Sequence, residues 1–317
     1  MKSMFYSVFN YFKRNKPGNP RSYTLRIAFD RYLSEISSEK RSGDQERSIC
    51  KAWMATSLAD MPLIRIRPHH LVKLRDEWLQ TLRPATVVRR LALLSHLFNI
   101  AHKEWALESL RNPVSLIRKP KVNNARERRP LTNINIPGEP SDELAWLVAS
   151  VRNPQFGSFV TLAVETAMRR SEIISLRWEN IDFERKTAYL PVTKNGHPRT
   201  VPLSPVALNE LRLLCRGSAE GSIFTVGASA ITRMLVRARR RCRFRYEDLC
   251  QKHGVLPIKN AFRDLRVHDL RHEGISRLAP LFQAHELARI SGHRDTRMLM
   301  RYFHPDVAQF AERLSAT

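Results

Sequence analysis

The stretch HDLRH at residues 268–272 decides the fold of this chain, and the other informative residues are spaced around it. His293 follows Gly292 downstream, and Tyr302 lies nine residues after His293. Upstream, the segment TAMRRSE at residues 166–172 contains Arg169 just before a predicted helix start at Ser171. On a helix, two residues three positions apart share one face, so His268 and Arg271 are expected to point the same way.

These residue types together indicate phosphoryl-transfer chemistry. Arginines hold phosphate oxygens in a bidentate manner, histidines move protons near neutral pH, and a tyrosine can be a covalent nucleophile. Each residue alone has a plainer explanation. Tyr302 could be part of the hydrophobic core, and His268 or His293 could be a buried polar group with ordinary hydrogen bonds. Arg169 and Arg170 could be a pair of surface arginines. Their joint occurrence in order favours the catalytic interpretation.

The composition predicts a polyanionic partner. The chain has 317 residues, enough for two domains, and 43% hydrophobic residues, enough for real cores. Its 54 Lys+Arg against 30 Asp+Glu give a formal charge of +24, which favours nucleic acid. An anionic membrane surface is the alternative, but no stretch approaches the roughly 18 apolar residues of a spanning helix.

Neither the cysteines nor the N-terminus suggests another class of protein. Cys50, Cys215, Cys242 and Cys250 form no C-x-x-C pair and lack a histidine cluster at zinc spacing. We therefore expect reduced thiols in a cytoplasmic protein, and no metal site. Residues 1–20 are expected to be a loosely ordered leader, because most basic residues follow the apolar part, opposite to a secretory signal.

Residues 21–118 are predicted to form a small all-α domain of four helices. Apolar residues recur at helical spacing after residue 28, across Gln45 to Leu58, and between Leu71 and Leu82. Pro84 opens the strongest pattern, a helix with Val88, Leu91, Leu94, Leu97, Phe98 and Ala101 on one face. The opposite face carries Arg89, Arg90 and His96, and we expect the two arginines to face DNA.

Residues 119–140 are predicted to be an exposed basic linker, because they mix proline, asparagine and basic residues. The second domain, residues 141–317, starts with a helix near Ser141. Its helical pattern is interrupted by two strand-like runs, Thr187–Val192 and Arg199–Leu203. Asn195-Gly196 between them is a strong hairpin signal, which places Lys194 at the mouth of a tight turn.

A run of arginines from Arg233 to Arg245 is a candidate DNA contact. It holds seven arginines in thirteen residues without an acid, on a helix that begins near Ala228. A solvated face is the plain alternative, but unpaired positive charges repel one another unless an anion neutralises them. Arg237, Arg240 and Arg241 are the named candidates. The following stretch, residues 246–266, has two interpretations. It is either a loop that contacts DNA or another subunit, or merely an insertion, and we favour the insertion.

The ordered set of residues resembles the tyrosine recombinase (phage integrase) family. The matching positions are Arg169, Lys194, His268, Arg271, His293 and Tyr302. The resemblance covers the chain from about residue 21 and implies a mainly α fold with a small β-hairpin or sheet: a helical core-binding domain followed by an α+β catalytic domain. Within the family, the chain is most similar to the shufflon-type recombinases over residues 91–101, 112–114, 118–122, 165–169 and 268–273.

The resemblance implies a mechanism. Tyr302 would attack a scissile DNA phosphate to form a 3′-phosphotyrosyl bond, with Arg169 and Arg271 as clamps on the phosphate oxygens. His293 would be a further donor, His268 would accept the tyrosine proton, and Lys194 would protonate the departing 5′-oxygen. Glu172 would orient these residues. Neither a cofactor nor a metal is implied, and the two domains would clamp double-stranded DNA within a homotetramer.

Some questions stay open on the sequence alone. The family usually has glycine where this chain has Ala167, which would cost on the order of 1 kcal/mol if the turn needs a positive φ. A type IB topoisomerase, or a DNA-binding protein that has lost catalysis, are the alternative functions. The target site, the accessory proteins, the outcome (integration, excision or inversion) and the cis or trans docking of the C-terminal tail cannot be deduced.

Overall fold

The computed structural model of the chain describes residues 23–40, 42–123, 126–193, 196–215 and 220–303. Two compact units divide between Arg126 and Glu127. The predicted leader at residues 1–20, the hairpin lysine Lys194, and the tail beyond Phe303 lie outside the described residues. Among the described residues, no helix is both long enough and apolar enough to cross a membrane.

The first unit is helical, as predicted. The α-helices among its described residues are α1 (Leu25–Tyr32), α2 (Gly43–Met54), α3 (Pro68–Thr81) and α4 (Pro84–Glu104). A π-helical turn (Leu33–Ser37) extends α1, and two 3₁₀ turns (Leu63–Arg65, Pro113–Leu116) lie in the connections. Both α3 and α4 begin with proline, which suits the first turn of a helix because it has no N–H to leave unbonded.

Helix α4 supplies much of the core of this unit. Its buried face includes Val87, Leu91, Leu94 and Phe98. We predicted Val88 for this face; it is only half-buried, and Val87 is fully buried in its place. Helix α2 ends four residues earlier than predicted, at Met54, with a turn after it.

The second unit consists of helices around a small sheet, as predicted. Its helices are α5 (Glu143–Ala149), α6 (Pro154–Thr166), α7 (Arg170–Ile174), α8 (Pro205–Leu214), α9 (Ala228–Lys252), α10 (Val267–Leu278) and α11 (Ala284–Ser291). Strands β1 (Ile181–Asp182), β2 (Thr187–Leu190) and β3 (Arg199–Pro202) form an antiparallel sheet in that order. Three 3₁₀ turns (Trp178–Asn180, Thr296–Met298, Met300–Tyr302) complete the described elements. The short strand β1 was not predicted.

The exposed linker is shorter than the predicted 119–140, because residues 127–140 pack into the second unit. Ile134 and Ile136 are buried in its main hydrophobic core. The Arg128 guanidinium donates to both oxygens of Glu143, a carboxylate with no exposed surface, at 2.5 and 2.7 Å. A buried carboxylate needs such a partner, so this part of the segment is anchored.

The arginine run on α9 is partly neutralised by the protein itself, so our description of its charges as unpaired was wrong. Arg243 pairs with Glu247 one helical turn on, and Arg245 pairs with the distant Glu139. Arg239 donates to the carbonyl oxygen of Leu265 at 2.6 Å. The two acidic partners, Glu247 and Glu139, lie outside the run, and Glu139 is 106 residues away from Arg245 in the sequence.

The stretch 246–266 begins as the end of α9, and the loop after that helix packs back on it. The backbone N–H of Ile258 donates to the Tyr246 hydroxyl at 3.0 Å, and Arg243 donates to the Ile258 carbonyl oxygen at 3.0 Å. Phe262 and Leu265 are buried. Leu256 at the loop tip is 93% exposed.

Helices α6 and α10 approach closely, and this contact positions the site described below. Gly274 on α10 makes it possible, because a Cβ there would lie 2.6 Å from the Val164 carbonyl oxygen and 2.9 Å from that of Ala163. Backbone atoms of a packed helix cannot yield as a flexible side chain can.

We predict that Gly274→Ala destabilises the chain by about 1–3 kcal/mol, the usual range for overpacking. The thermal unfolding midpoint should fall by several degrees, at about 2–4 °C per kcal/mol for a unit of this size. Gly157→Ala on α6 is the matched control, since its Cβ would meet only a side-chain atom of Val148, at 3.1 Å. Equal midpoints for the two variants would contradict the close approach.

Candidate active site

Arg169 is placed by a sharp turn after α6. Ala167, fully buried, has φ 51° and ψ 22°, in the left-handed region. The turn does need the positive φ that glycine usually supplies, so alanine costs on the order of 1 kcal/mol here. Its methyl group packs in an apolar cluster with Ile275 and Leu287, which offsets part of that cost. The turn leaves Arg169 as the N-cap of α7, with its neighbour Arg170 exposed and donating to Thr232 at 2.5 Å.

Arg271 is held on α10 with 3% of its surface exposed. The helix starts where the Asp269 carboxylate accepts the backbone N–H of Arg266 at 2.7 Å. Nη1 of Arg271 donates to the carbonyl oxygen of Ala167 at 2.5 Å, and Nη2 donates to that of Ser291 at 2.7 Å. Burial, and then the charge of Arg169, lower the pKa of Arg271 to about 9, so it stays protonated at neutral pH.

Glu172 joins the arginines. Its carboxylate is 2% exposed and accepts from both the backbone N–H (2.7 Å) and Nη1 (3.0 Å) of Arg169. Arg199 donates to the same carboxylate through both terminal nitrogens, at 2.9 and 2.7 Å. Burial by itself raises the pKa of a carboxyl, but the hydrogen bonds and charges of Arg199 and Arg169 outweigh it and hold the pKa of Glu172 at about 2. Glu172 therefore fixes the guanidinium groups of Arg169 and Arg199 through hydrogen bonds, and its expected role in orienting a catalytic site stays a prediction.

Arg199 was not predicted as a site residue. It opens β3, and its Nε donates to the carbonyl oxygen of Ile290 at 2.9 Å. The sequence pattern could have identified it, because Arg199 and the buried Val201 are two residues apart and so lie on one face of the strand. An arginine on a core-facing strand position requires an anion, and Glu172 is that anion.

Gly292 lets the guanidinium groups come together. It ends α11 with φ 70°, and its carbonyl oxygen accepts from Arg169 Nη2 at 2.9 Å. A Cβ at this position would lie 2.9 Å from Nη1 of Arg199 and 3.2 Å from Nη1 of Arg169. Only glycine combines this backbone conformation with this close approach.

His293 follows that glycine, and its ring is oriented by Ser291. The Ser291 hydroxyl lies 2.7 Å from Nδ1 of His293 and donates its proton to the carbonyl oxygen of Leu287 at 2.6 Å. Because a hydroxyl has one proton, Nδ1 of His293 is the donor in the first contact. Burial, followed by the charges of Arg271 and Arg169, lowers the pKa of His293 to about 4, so the ring is neutral at pH 7.

Tyr302 ends a 3₁₀ turn and packs against the apolar cluster that also contains Leu299. Its hydroxyl is hydrogen-bonded to Nδ1 of His272, a residue that we did not predict for the site. Burial raises the pKa of Tyr302, against the charges of Arg301 and Arg271. His268 lies one helical turn before His272, is exposed, and presents its ring edge-on to that of His272, with 4.6 Å between centroids.

The predicted DNA-contacting arginines differ in their surroundings. Arg89, Arg237 and Arg240 are exposed. Arg90 lies over the Trp78 ring, 4.5 Å from its centroid, and burial lowers its pKa. Arg241 is exposed and donates to the carbonyl oxygen of Ser150 at 2.6 Å. Together with Arg152, Arg237 and Arg241 line a surface groove of about 550 Å³.

Within the described part of the chain, no three His, Cys, Asp or Glu side chains are placed to hold a metal ion.

Comparison of the sequence with known proteins finds integrases and DNA recombinases. The sequence model of the phage integrase family matches residues 148–309. The chain is 37% identical over 308 residues to a shufflon-specific DNA recombinase of Escherichia coli, across 93% of this chain and 73% of the relative.

Two solved structures share the fold. The Tn1549 transposon integrase, in complex with a circular intermediate DNA, superposes with a TM-score of 0.68 at 15% identity over 92% of this chain and all of that chain. A lambda integrase tetramer bound to a Holliday junction gives 0.66 at 18% identity over 93% of this chain and 87% of that one.

We predict that Glu172→Gln destabilises the chain at neutral pH and flattens its acid sensitivity. A carboxylate whose pKa falls from 4.5 unfolded to about 2 folded contributes about 3 kcal/mol above pH 4.5, lost as the pH falls toward 2. The free energy of unfolding, measured with urea between pH 7 and 3, should therefore fall less steeply for Glu172→Gln. The exposed Glu184→Gln is the control, and a variant curve parallel to wild type would contradict the buried ion pairs.

Proposed function

This chain belongs to the phage integrase family and is a tyrosine-type site-specific DNA recombinase, and we propose that Tyr302 is its nucleophile. One observation carries the proposal: the Tyr302 hydroxyl is hydrogen-bonded to His272, the residue after the buried Arg271, and Arg271 and Tyr302 are close enough to influence each other's pKa. A tyrosine beside fixed guanidinium groups is suited to attack on a phosphodiester.

Strand cleavage exchanges one phosphate ester for another. The Tyr302 oxygen bonds to phosphorus while the bond from phosphorus to the 5′-oxygen breaks, leaving a 3′-phosphotyrosyl ester and a 5′-hydroxyl. The 5′-hydroxyl of another strand reverses the step and rejoins the DNA. We assign the proton for the departing 5′-oxygen to Lys194, on the predicted hairpin. Because ester is exchanged for ester, the step requires no nucleotide energy source.

The charges in the site match this reaction. Three guanidinium groups and the single carboxylate of Glu172 leave a net charge of about +2, next to a phosphodiester whose equatorial oxygens gain negative charge in the transition state. Arg169 and Arg271 are the proposed clamps. Arrival of the phosphate would raise the pKa of His293, which turns its neutral ring into the donor expected of it.

Binding of double-stranded DNA is proposed to involve both units. The formal charge of +24 provides a large electrostatic attraction to phosphates. In the first unit Arg89 is the exposed candidate, with Arg90 as a less exposed one. In the second unit Arg237, Arg240 and Arg241 remain candidates, of which Arg237 and Arg241 line the groove with Arg152.

We further propose a homotetramer on two recombination sites, acting in the cytoplasm. The structurally similar lambda integrase forms a tetramer on a Holliday junction, which supports this assembly. The similarity to a shufflon-specific recombinase favours inversion as the outcome to test first, ahead of integration and excision. Inverted repeats beside alternative coding ends in the flanking DNA would support it.

The function is tested by covalent capture. We predict that the full chain, mixed with DNA fragments from the region around its own coding sequence, forms covalent complexes that survive denaturing detergent. Tyr302→Phe should form none, while Tyr189→Phe, at an exposed tyrosine of β2, should behave as wild type. Excess EDTA should leave capture intact, because the arginines supply the positive charge.

Four outcomes would contradict the proposal. Capture by Tyr302→Phe would exclude the nucleophile, and loss in EDTA with rescue by magnesium would exclude a metal-independent step. Relaxation of any supercoiled plasmid without a recovered site would favour a type IB topoisomerase, and no reaction on any DNA would favour a silent binding protein.

Lys194 is tested by changing the leaving group. We predict slow cleavage of the captured duplex by Lys194→Ala, because the 5′-alkoxide must leave unprotonated. A duplex with sulfur at the 5′-bridging position should restore the rate, since a thiol has a pKa near 8.5, far below that of an alcohol. Tyr302→Phe should stay inactive on it. Failure of sulfur to rescue Lys194→Ala, with rescue of a His268 variant instead, would move the general acid to His268.

A further inference from the structure

We propose that His272 is the residue that holds the Tyr302 hydroxyl before strand cleavage and accepts its proton during it. This inference rests on the proposed function of Tyr302 and replaces the role that the family resemblance implies for His268. It makes His272, next in sequence to the clamp residue Arg271, a further catalytic residue.

The first support is direct contact. Nδ1 of His272 is hydrogen-bonded to the Tyr302 hydroxyl, and the two rings are nearly parallel, at 27° with 6.0 Å between centroids. Both partners are fixed by their backbones: His272 lies within α10, and the Tyr302 N–H donates to the carbonyl oxygen of the buried Leu299 at 2.8 Å. A proton acceptor must be within hydrogen-bond reach of the proton it takes, and His272 meets this condition before DNA binds.

The second support is the relation of the two histidines on α10. His268 and His272 are four residues apart and share a helix face, with their rings edge-to-face. His272 contacts both Tyr302 and His268, and His268 is exposed whereas His272 is half-buried. Of the two histidines, His272 is therefore the one in contact with the tyrosine oxygen.

The third support is the charge around His272. Its own helix places His268, Asp269 and Arg271 nearby, and the 3₁₀ turn that carries Tyr302 adds Arg301. Burial, then His268 and Arg301, lower the pKa of His272 to about 4, against the opposing effect of Asp269. At neutral pH the ring is therefore neutral and can offer a lone pair at Nδ1, with its own proton on Nε2.

Phosphate binding would adjust this base. A bound phosphodiester brings negative charge beside Arg271 and Tyr302, which raises the pKa of His272 toward the range where a general base is most effective. In the step itself, the O–H bond of Tyr302 breaks, an N–H bond forms at Nδ1, and the freed oxygen bonds to phosphorus. The proton for the 5′-oxygen comes from the separate general acid.

The hydrogen bond is tested without DNA. In the full chain labelled with ¹⁵N-histidine, the Nδ1 resonance of His272, assigned by its loss in His272→Asn, should be that of an unprotonated acceptor at pH 7. It should shift in Tyr302→Phe. A protonated Nδ1, or no shift in Tyr302→Phe, would overturn the proposal whatever the enzyme does to DNA.

Proton transfer is tested with His272→Asn and His272→Ala, on a nicked form of the captured duplex that traps the covalent product. Asparagine keeps an acceptor atom near the position of Nδ1 but cannot take a proton. Both variants should cleave about 10²–10⁴-fold more slowly than wild type, the usual contribution of general acid–base catalysis. His285→Ala, at an exposed position of α11, is the matched control and should cleave as wild type.

The pH profile separates catalysis from a structural role. Wild-type cleavage should level off once the pH exceeds the pKa that His272 reaches beside a bound phosphodiester, because the base is then neutral. Without the base, cleavage requires tyrosinate, whose population rises tenfold per pH unit below the raised pKa of Tyr302, so the variant rates should rise with pH. A flat profile for His272→Asn at near wild-type rate would overturn the proposal, as would faster cleavage by His272→Ala.

The same series distinguishes this inference from the proposed function. If wild type forms no covalent product, the proposed function fails. If wild type cleaves and His268→Asn shows the rising profile while His272→Asn stays flat, the base is His268 and this inference alone fails. Thermal unfolding of each variant, matched to wild type, shows that lost activity does not come from misfolding.

Discussion

The second unit depends on one buried carboxylate. Glu172 accepts hydrogen bonds from Arg169 and Arg199, which come from the turn after α6 and from the start of β3. The same arginines reach the end of α11 through the carbonyl oxygens of Gly292 and Ile290. Without the carboxylate, the two guanidinium groups that meet beside Gly292, with the buried Arg271 close by, would repel one another in a region where water screens them little. The Glu172 carboxylate therefore both brings the arginines together and connects the start of β3 with the helices.

This arrangement lowers the stability of the fold, and the destabilising features lie at the proposed active site. Ala167 keeps a left-handed conformation that alanine disfavours, and Arg271 is nearly fully buried with only backbone carbonyl oxygens as its two hydrogen-bond acceptors. One carboxylate against three cations leaves positive charge uncompensated. A scissile phosphate would compensate it, so the repulsion among these guanidinium groups favours binding of the negatively charged transition state. A fully neutral site would be more stable and a poorer catalyst.

The sequence was a good guide to the helices and strands and a poor guide to the pairing of charged side chains, while the ordered catalytic set stays a prediction. Helical periodicity located α3 and α4, Pro84 marked the start of α4, and the HDLRH stretch placed Arg271 correctly on a helix, α10. Arg199 escaped because its partner Glu172 lies 27 residues away, and a single chain does not reveal which carboxylate is buried. For the same reason, the sequence did not reveal the pairing of Arg245 with Glu139 or the burial of Ile134, since both depend on contacts between distant parts of the chain. His272 was overlooked because its proximity to Tyr302 depends on how the 3₁₀ turn packs on α10, which no local pattern encodes.

The histidines show how the site can remain inactive until DNA arrives. His272 and His293 are both held neutral by burial and by the surrounding arginines, and burial raises the pKa of Tyr302. In this condition the tyrosine is protonated and His293 has no proton to offer at Nε2. A phosphodiester would change both histidines together, because a single negative charge beside them makes each a stronger base. The substrate would thereby strengthen the base proposed to take the tyrosine proton, and a tyrosine that stays protonated without a phosphate is protected from reaction elsewhere.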